Sequence, residues 1–136
     1  MNDTIQYTVD SDGIALLTID LPGKSMNVLT PELMSDLESG VARAAADGAV
    51  KGVVLTSGKK AFIAGADIGF FVRQIENETI DRIVEFTKAG HALLDAIDNC
   101  HKPVVARVHG LALGGGLGMI AVLTKNELVW ALLGGI

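Results

Sequence analysis

The sequence predicts an α/β domain. Short runs of β-branched and aliphatic residues alternate along the chain with longer stretches in which apolar residues recur at helical spacing. Hydrophobic residues make up 49% of the 136 residues and charged residues 20%, a composition typical of a chain that folds around a core. The sequence contains no internal repeat, linker or low-complexity tract, so we expect one domain or part of one.

The first predicted unit is a β-hairpin followed by a helix. Two strands, Tyr7–Val9 and Gly13–Asp20, flank a turn at residues 10–13. A helix is predicted to begin at Thr30-Pro31, because threonine can accept hydrogen bonds from first-turn N–H groups and proline there loses none. It is predicted to end at Asp47-Gly48. Its apolar face comprises Leu33, Leu37, Val41, Ala44 and Ala45, with Asp36, Glu38 and Arg43 off that face.

The next predicted elements are again a strand, a helix and a strand. Gly52–Ser57 is a β-branched run of the kind found in buried strands. A long helix is predicted from about Thr79 to Asn99, with an apolar stripe that includes Ile80, Val84, Leu93 and Ile97. Lys102-Pro103 precedes a predicted strand, Val104–Val108, and a glycine-rich turn and a further apolar, helix-like segment follow it.

Composition and charge exclude several classes of protein. A formal net charge of −5 leaves no basic stripe for a nucleic-acid backbone, so no nucleic-acid partner is expected. Cys100 is the single cysteine, which rules out a disulfide within the chain. No signal segment is apparent in the first dozen residues, and the apolar runs after Gly110 are too short for a membrane span. A cytoplasmic, soluble protein is therefore predicted.

The segment Ala64–Ile68 is the first place that can carry chemistry. Small residues around Gly65 allow a tight turn and let a ligand approach the main chain. Asp67 stands where it can cap a following short helix, which would leave N–H groups near Ala66 as a site for an anion or a carbonyl oxygen. The alternative is a plain tight turn with a capping aspartate.

The second such place is the run Gly114–Gly116. Glycines after a buried strand allow close approach of the backbone either to a ligand or to another structural element, and both interpretations stay open. Two other motifs fail. The segment ending in Lys59-Lys60 lacks the glycine and Ser/Thr of a phosphate-binding loop, and the GxGxxA pattern at 116–121 starts too far from its strand.

The sequence offers no metal site and no catalytic triad. His91, His109 and Cys100 have no ligand-like spacing, among themselves or with carboxylates. His91 is predicted to be a half-exposed helix residue, and His109 a local hydrogen-bonding or core histidine.

Together these segments resemble the N-terminal half of the enoyl-CoA hydratase/isomerase (crotonase) superfamily. The matching stretches are LTIDLPGKSMNVLTPELMSDL (17–37), KGVVLTSGKKAFIAGADI (51–68) and HKPVVARVHGLALGGGLG (101–118), in the family's order and spacing. The first two are most similar to the hydratase part of the multifunctional fatty-acid oxidation α-subunit. The resemblance implies a crotonase-like spiral of ββα units, of which this chain supplies the N-terminal portion.

The resemblance also implies a substrate and a site. Family members bind an acyl-CoA thioester, as substrate and not as cofactor, and hold its carbonyl oxygen between two backbone N–H groups. By motif position these are the amides of Ala66 and Gly115. The residues that match the family's CoA-binding parts are Lys24, Met26, Ala64, Gly65, Asp67, Ile68 and Gly114, with Lys24 a candidate phosphate partner.

The sequence departs from the family where hydration needs acid–base groups. The family's hydratases use two glutamates, and the first falls at a position that Gly118 occupies here. The second has no evident counterpart, since Glu127 is the only carboxylate after Asp98 and follows neither motif. We therefore divide the chain into a partial acyl-CoA-binding domain, 1–118, and a divergent apolar tail, 119–136.

The residues and the resemblance leave three functions open. The first is a hydratase-type protein of fatty-acid β-oxidation that is impaired or inactive. The others are a non-catalytic remnant that binds acyl-CoA or a partner, and an isomerase-like member of the family. Apolar tail residues such as Trp130, Leu132 and Leu133 predict self-association into a homo-oligomer.

Overall fold

The computed structural model of this chain describes residues 2–114 and 116. Its strands are β1 (Ile5–Val9), β2 (Ile14–Ile19), β3 (Gly52–Ser57) and β4 (Val104–Ala106), and its helices are α1 (Pro31–Ala46), α2 (Ile68–Glu76) and α3 (Asp81–Asp98). The strands form one sheet in the order β1-β2-β3-β4. β1 and β2 are antiparallel, whereas β3 and β4 add in parallel after helical crossovers. The predicted α/β class is confirmed.

The hairpin is fixed by its turn. The Asp10 carboxylate oxygen Oδ1 accepts hydrogen bonds from the N–H groups of Asp12 and Ile14, both at 2.9 Å. This side chain reinforces the turn, in which the Asp10 carbonyl also accepts from the Gly13 N–H at 3.2 Å. The register that follows pairs Ile5 with Ile19, so the strand begins two residues before the predicted Tyr7.

Helix α1 covers the sheet as its sequence predicts. Thr30 caps it, with Oγ1 accepting from the Leu33 N–H at 3.1 Å, and Pro31 is its first residue. Alternate residues of β2 face it, because successive side chains of a strand point to opposite faces. The buried core that results includes Ala15, Leu17, Ile19, Leu33, Leu37, Val41, Ala44, Val53, Leu55, Phe62, Ile63, Leu93, Ile97 and Val104.

Helix α3 packs on α1, but only its second half is buried as predicted. Leu93 and Ile97 are 1% and 2% exposed, whereas Ile80 and Val84 are 59% and 48% exposed. The predicted apolar stripe therefore includes residues that are not buried. Helical spacing alone does not show how far along α3 the contact with α1 extends.

Two further expectations are wrong in detail. Asp36 was expected to lie away from the apolar face, yet it is 1% exposed, because Asn2 and Thr4 fold across α1 and donate hydrogen bonds to its carboxylate. β4 ends at Ala106 and not at Val108: the Arg107 N–H still donates to the Leu55 carbonyl, and the chain then turns away from the sheet. The helix-like segment predicted after the glycine-rich turn lies outside the described residues.

Candidate functional site

The centre of the site is the segment 61–67, which runs between two other stretches of chain. Ala66 forms a parallel bridge with Leu29 on one side, and Ala64 forms one with Leu113 on the other. The Ala64 N–H donates to the carbonyl oxygen of Asn27 at 2.8 Å, and the Leu113 N–H donates to that of Ile63 at 3.0 Å. The fold thus places the three sequence motifs side by side.

The backbone at Ala66 is held from both sides by one residue. Leu29 donates its N–H to the Gly65 carbonyl at 2.7 Å, and its own carbonyl accepts from the Asp67 N–H at 3.0 Å. Gly65 has a φ of +87°, a conformation that residues with a Cβ rarely adopt. Ala66 is half-buried, and no backbone carbonyl among residues 2–114 and 116 accepts its N–H.

The glycine-rich stretch packs directly against this segment. A Cβ on Gly116 would lie 2.6 Å from the Ile63 carbonyl oxygen, so only glycine allows the two backbones to approach so closely. Gly114 also lies beside Gly65, where a Cβ would be 3.3 Å from the Gly65 Cα, a tight but less severe contact. The sequence left open whether these glycines allow close approach to a ligand or to another structural element. The structure shows close packing of Gly114 and Gly116 against another segment. Gly115 and Gly118 lie outside the described residues, so their roles stay predictions.

Asp67 caps helix α2, which confirms the predicted short helix. Its Oδ1 accepts from the Gly69 N–H at 3.1 Å. Its Oδ2 lies 3.7 Å from both the Lys24 Nζ and the Arg73 guanidinium. Because Lys24 and Arg73 are well exposed, these pairs contribute little to stability, and both cations can exchange Asp67 for an anionic ligand.

A shallow open cavity of about 580 Å³ adjoins Ala66. It brings together five of the residues that are predicted to bind CoA, from two separate stretches of the sequence, namely Lys24, Met26, Ala64, Asp67 and Ile68. Gly65 and Gly114 are not among its lining residues. The lining comprises Gly23, Lys24, Ser25, Met26, Val28, Ala64, Ala66, Asp67, Ile68 and Gly69.

A set of residues that no sequence motif indicates holds the wall of this cavity. Lys59 donates from Nζ to the Lys24 carbonyl at 2.6 Å and pairs with Asp20 at 2.8 Å. His109 Nε2 lies 2.6 Å from the Lys59 carbonyl oxygen, so His109 makes a hydrogen bond as predicted, but it is exposed and its partner is 50 positions away and not local. No motif identifies Lys59 in this role, because its partners are distant in sequence.

Asn27 is the second residue that was missed. It is fully buried, in the loop between β2 and α1. Its side chain contacts the ends of two strands and the segment 61–67. A polar residue within the apolar run from Met26 to Leu29 was a signal in the sequence that could have identified it.

A second cavity, of about 610 Å³, lies among α1, α2 and α3. It is lined by apolar side chains such as Met34, Phe70 and Phe86 and by charged ones such as Arg73 and Glu85. The rings of Phe70 and Phe86 are 5.1 Å apart and hold α2 against α3. On its outer face α2 exposes three aliphatic side chains, namely Ile68, Val72 and Ile75.

Two negative observations apply to residues 2–114 and 116. No helix there has the length and apolarity that crossing a membrane requires. Within the same residues, no group of three His, Cys, Asp or Glu side chains is placed to hold a metal ion.

Comparison with known sequences finds relatives that agree with the resemblance described above. The profile of the enoyl-CoA hydratase/isomerase family matches residues 10–124. A fatty acid oxidation complex subunit alpha from Shewanella halifaxensis is 40% identical over 127 residues, which is 93% of this chain and 18% of that protein. The protein of the same name from Idiomarina loihiensis is 44% identical over 125 residues, or 88% of this chain and 17% of its own length. The chain thus spans less than a fifth of these curated relatives.

Comparison with solved structures gives the same result for the fold. An enoyl-CoA hydratase from Mycobacterium avium superposes with a TM-score of 0.73 and 30% identity, over 90% of this chain and 45% of that one. An enoyl-CoA hydratase from Shewanella pealeana gives a TM-score of 0.80 at 21% identity, over 90% of this chain and 45% of that one, and shows the fold alone. The predicted crotonase-like fold is confirmed, and the chain corresponds to just under half of these structures.

Proposed function

Because the chain belongs to the enoyl-CoA hydratase/isomerase family, we propose that it binds an acyl-CoA thioester of fatty-acid β-oxidation, with the thioester oxygen at the Ala66 amide. The single observation that carries this proposal is the Ala66 N–H, which no described backbone carbonyl accepts and which borders the 580 Å³ cavity. A donor fixed by the bonds of Leu29 needs no rearrangement when an oxygen arrives, which is the condition for electrostatic stabilisation of a developing oxyanion.

The chemistry follows from where charge develops. When the thioester is polarised toward an enolate, negative charge accumulates on its oxygen, and each preorganised N–H lowers the energy of that state. Loss of one such donor costs about 3–4 kcal/mol in a comparable acyl-transfer site. We assign the second donor to Gly115, by its place in the glycine run.

The cavity suits the rest of the ligand. Lys24 lies on its wall with an exposed ammonium group, and the Asp67 carboxylate at 3.7 Å is its present partner. A phosphate of CoA carries more negative charge than one carboxylate and would compete for the same ammonium group. Met26, Ala64 and Ile68 offer small or apolar surface beside it, which suits the uncharged part of a thioester.

We propose that this chain binds the thioester but does not hydrate it efficiently. Hydration needs groups that activate water and deliver a proton, and such groups typically contribute about 10²–10⁴-fold to the rate. Glycine stands at position 118, where the family's first glutamate falls, and these 136 residues offer no evident counterpart of the second.

The test is to add crotonyl-CoA and follow the loss of its enoyl-thioester absorbance. We expect a rate at least about 100-fold below that of a family hydratase that carries both glutamates. Gly118→Glu alone should not restore turnover, because the second carboxylate is still lacking. Normal turnover by the unmodified chain, or rescue by Gly118→Glu, would contradict the proposed impairment.

Binding is measured separately from turnover. A thioester labelled with ¹³C at its carbonyl should show a lower carbonyl stretching frequency when bound, because N–H donors weaken the C=O bond. Lys24→Ala should weaken binding by about two- to fivefold, the range of an exposed charge pair. Lys88→Ala is the matched control, since Lys88 is exposed on α3 and lines neither cavity. Absence of any bound-state shift would overturn the proposed function.

An isomerase-like activity is the second candidate, and Gly118 is the observation that favours it, because such a member dispenses with the first glutamate. Supplying a β,γ-enoyl-CoA and following the appearance of the conjugated α,β-enoyl absorbance distinguishes the two activities. If the chain binds thioesters but converts neither substrate, it is a binding remnant.

The proposed location is the cytoplasm, and self-association through the apolar tail stays a prediction because Trp130, Leu132 and Leu133 lie outside the described residues.

A further inference from the structure

Asn27 is a fully buried polar side chain whose hydrogen bonds reach three separate parts of the site. Its Oδ1 accepts from the Leu21 N–H at 3.1 Å. Its Nδ2 contacts the Ile19 carbonyl at the end of β2 at 3.0 Å, the Ser57 hydroxyl at the end of β3 at 2.8 Å, and the Phe62 carbonyl at 3.2 Å. One side chain thus joins both strand ends to the segment that contains Ala66.

These hydrogen bonds form a closed network. An amide nitrogen has only two hydrogens, so three acceptors must share them, and the longest contact, to Phe62, is the weakest. Ser57 is also fully used: it donates to the Ala61 carbonyl at 2.6 Å and accepts from Asn27 and from the Lys59 N–H. Burying a polar network is costly unless its members are paired. Loss of the Asn27 side chain would leave the Leu21 N–H without its acceptor, and loss of the Ser57 hydroxyl would leave the Ala61 carbonyl and the Lys59 N–H without their partner.

The backbone of Asn27 extends this connection to the Ala66 amide. The Asn27 carbonyl accepts the Ala64 N–H at 2.8 Å. Two residues further on, Leu29 holds Gly65 and Asp67, the two neighbours of Ala66. The direction of the Ala66 N–H is therefore set by a strip of backbone whose position depends on where Asn27 is anchored.

We infer that Asn27 is a positioning residue for the thioester site: through Ser57, Phe62 and Ala64 it sets the Ala66 amide for the carbonyl oxygen of the acyl-CoA. The inference rests on the proposed function for its ligand, but the geometric part can be tested without one. A residue needed only to fill the core would be apolar, since an apolar side chain fills the same space without the cost of burying an amide.

The first experiment measures amide hydrogen exchange in the ligand-free protein. Two variants break the network. Asn27→Ala removes the anchor itself, and the milder Ser57→Ala removes one oxygen, which is a partner of Asn27 Nδ2 and of the Ala61 carbonyl at the start of the segment 61–67. The matched control is Asn99→Ala, because the Asn99 side chain makes a single exposed hydrogen bond, to the Asp95 carbonyl at 2.9 Å. We expect the N–H groups of Leu29, Ala64 and Asp67 to exchange about tenfold faster in both variants, the effect of losing one hydrogen bond. Amides in the middle of β2 and α1 should be unchanged.

The second experiment measures the carbonyl stretching frequency of the ¹³C-labelled thioester at saturating protein. Ser57→Ala should bind the CoA portion within about twofold of the unmodified chain, because Lys59 loses one backbone hydrogen bond but keeps its side-chain bonds to Lys24 and Asp20, and a twofold change is smaller than one hydrogen bond. The bound carbonyl should lose at least half of its frequency shift. A merely structural role would lower binding and the shift together, or leave both unchanged.

The outcomes separate the inference from the proposed function. If exchange at Leu29, Ala64 and Asp67 is unchanged in both variants, or if exchange rises uniformly along the chain, the positioning role is wrong whatever the ligand does. If local exchange rises as expected and the unmodified chain shows no bound-carbonyl shift, the proposed function fails while Asn27 still anchors the segment. Both local exchange and loss of the shift are required for the full inference.

Discussion

The buried carboxylate of Asp36 gives a quantitative prediction about stability. Its Oδ1 accepts from the Asn2 N–H at 2.8 Å and the Asn2 side chain at 3.1 Å. Its Oδ2 accepts from the Thr4 N–H at 3.1 Å and the Thr4 hydroxyl at 2.6 Å. Asp36→Ala leaves both buried donors of Thr4 without an acceptor, at about 1–3 kcal/mol each. Allowing for partial access of water, we expect the free energy of unfolding to fall by about 2–4 kcal/mol at pH 7.

The same carboxylate predicts a pH dependence. Burial acts to raise the pKa of Asp36, but the hydrogen bonds from Thr4 and Asn2 together outweigh burial and hold the pKa below its ordinary value. A group whose pKa is lower in the folded state stabilises the fold above its unfolded-state pKa, and that stabilisation is lost as the pH falls through the folded-state pKa. The difference between the unmodified chain and Asp36→Ala should therefore be constant near neutrality and shrink below about pH 4.

Urea denaturation followed by circular dichroism at pH 7 and at pH 3 measures both effects. Glu38→Ala is the matched control, because Glu38 lies on the same helix and is exposed. A loss below about 1 kcal/mol at pH 7, the net value of a single ordinary hydrogen bond, would refute the reasoning. A loss of equal size at both pH values would refute the assignment to the ionised carboxylate.

Two further predictions concern the glycine run and the end of α1. Gly116→Ala should lower the free energy of unfolding by about 1–3 kcal/mol, because the new Cβ would lie 2.6 Å from the Ile63 carbonyl oxygen; it should also abolish the frequency shift of the bound thioester carbonyl. The control is Gly48→Ala, where a Cβ meets open space. Equal effects of the two variants in urea denaturation would contradict this prediction. Lys102→Met should lower the free energy of unfolding by about 1–2 kcal/mol in thermal denaturation, because its ammonium group donates to two carbonyls at the C-terminal end of α1, at 2.8 and 2.6 Å. Lys88→Met, an exposed change on α3, should have no effect, and an equal loss in both lysine variants would argue against the capping role.

Elements with strong local signals could be predicted from the sequence almost to the residue. Helix α1 begins where Thr30 and Pro31 indicate, and β3 spans the β-branched run Gly52–Ser57. The same holds for the cap at Asp67. In each case the deciding hydrogen bond or side-chain preference involves neighbours within a few residues, so a single sequence contains the information.

The residues that the sequence analysis missed depend on distant partners. Asn27 bonds to Phe62, 35 positions along the chain, and Asp36 bonds to Asn2, 34 positions away. Helical spacing placed Asp36 away from the apolar face, and nothing local indicates that an N-terminal segment would cover it. Burial of a polar side chain is a property of the assembled fold, which explains why the scaffold of the candidate site was harder to predict than its glycines.

The strand order has a consequence for how this chain emerges from the ribosome. Each strand of the sheet pairs with the one that precedes it in the sequence, so no strand must wait for a later one to be inserted beside it. The hairpin, α1 and the third strand all lie before Ser57, so the residues that these three strands need for pairing are the first to be synthesised. The nascent chain can therefore pair β1, β2 and β3 without any later residue, and Ala64–Ile68, β4 and the glycine run then add to a surface that is already in place.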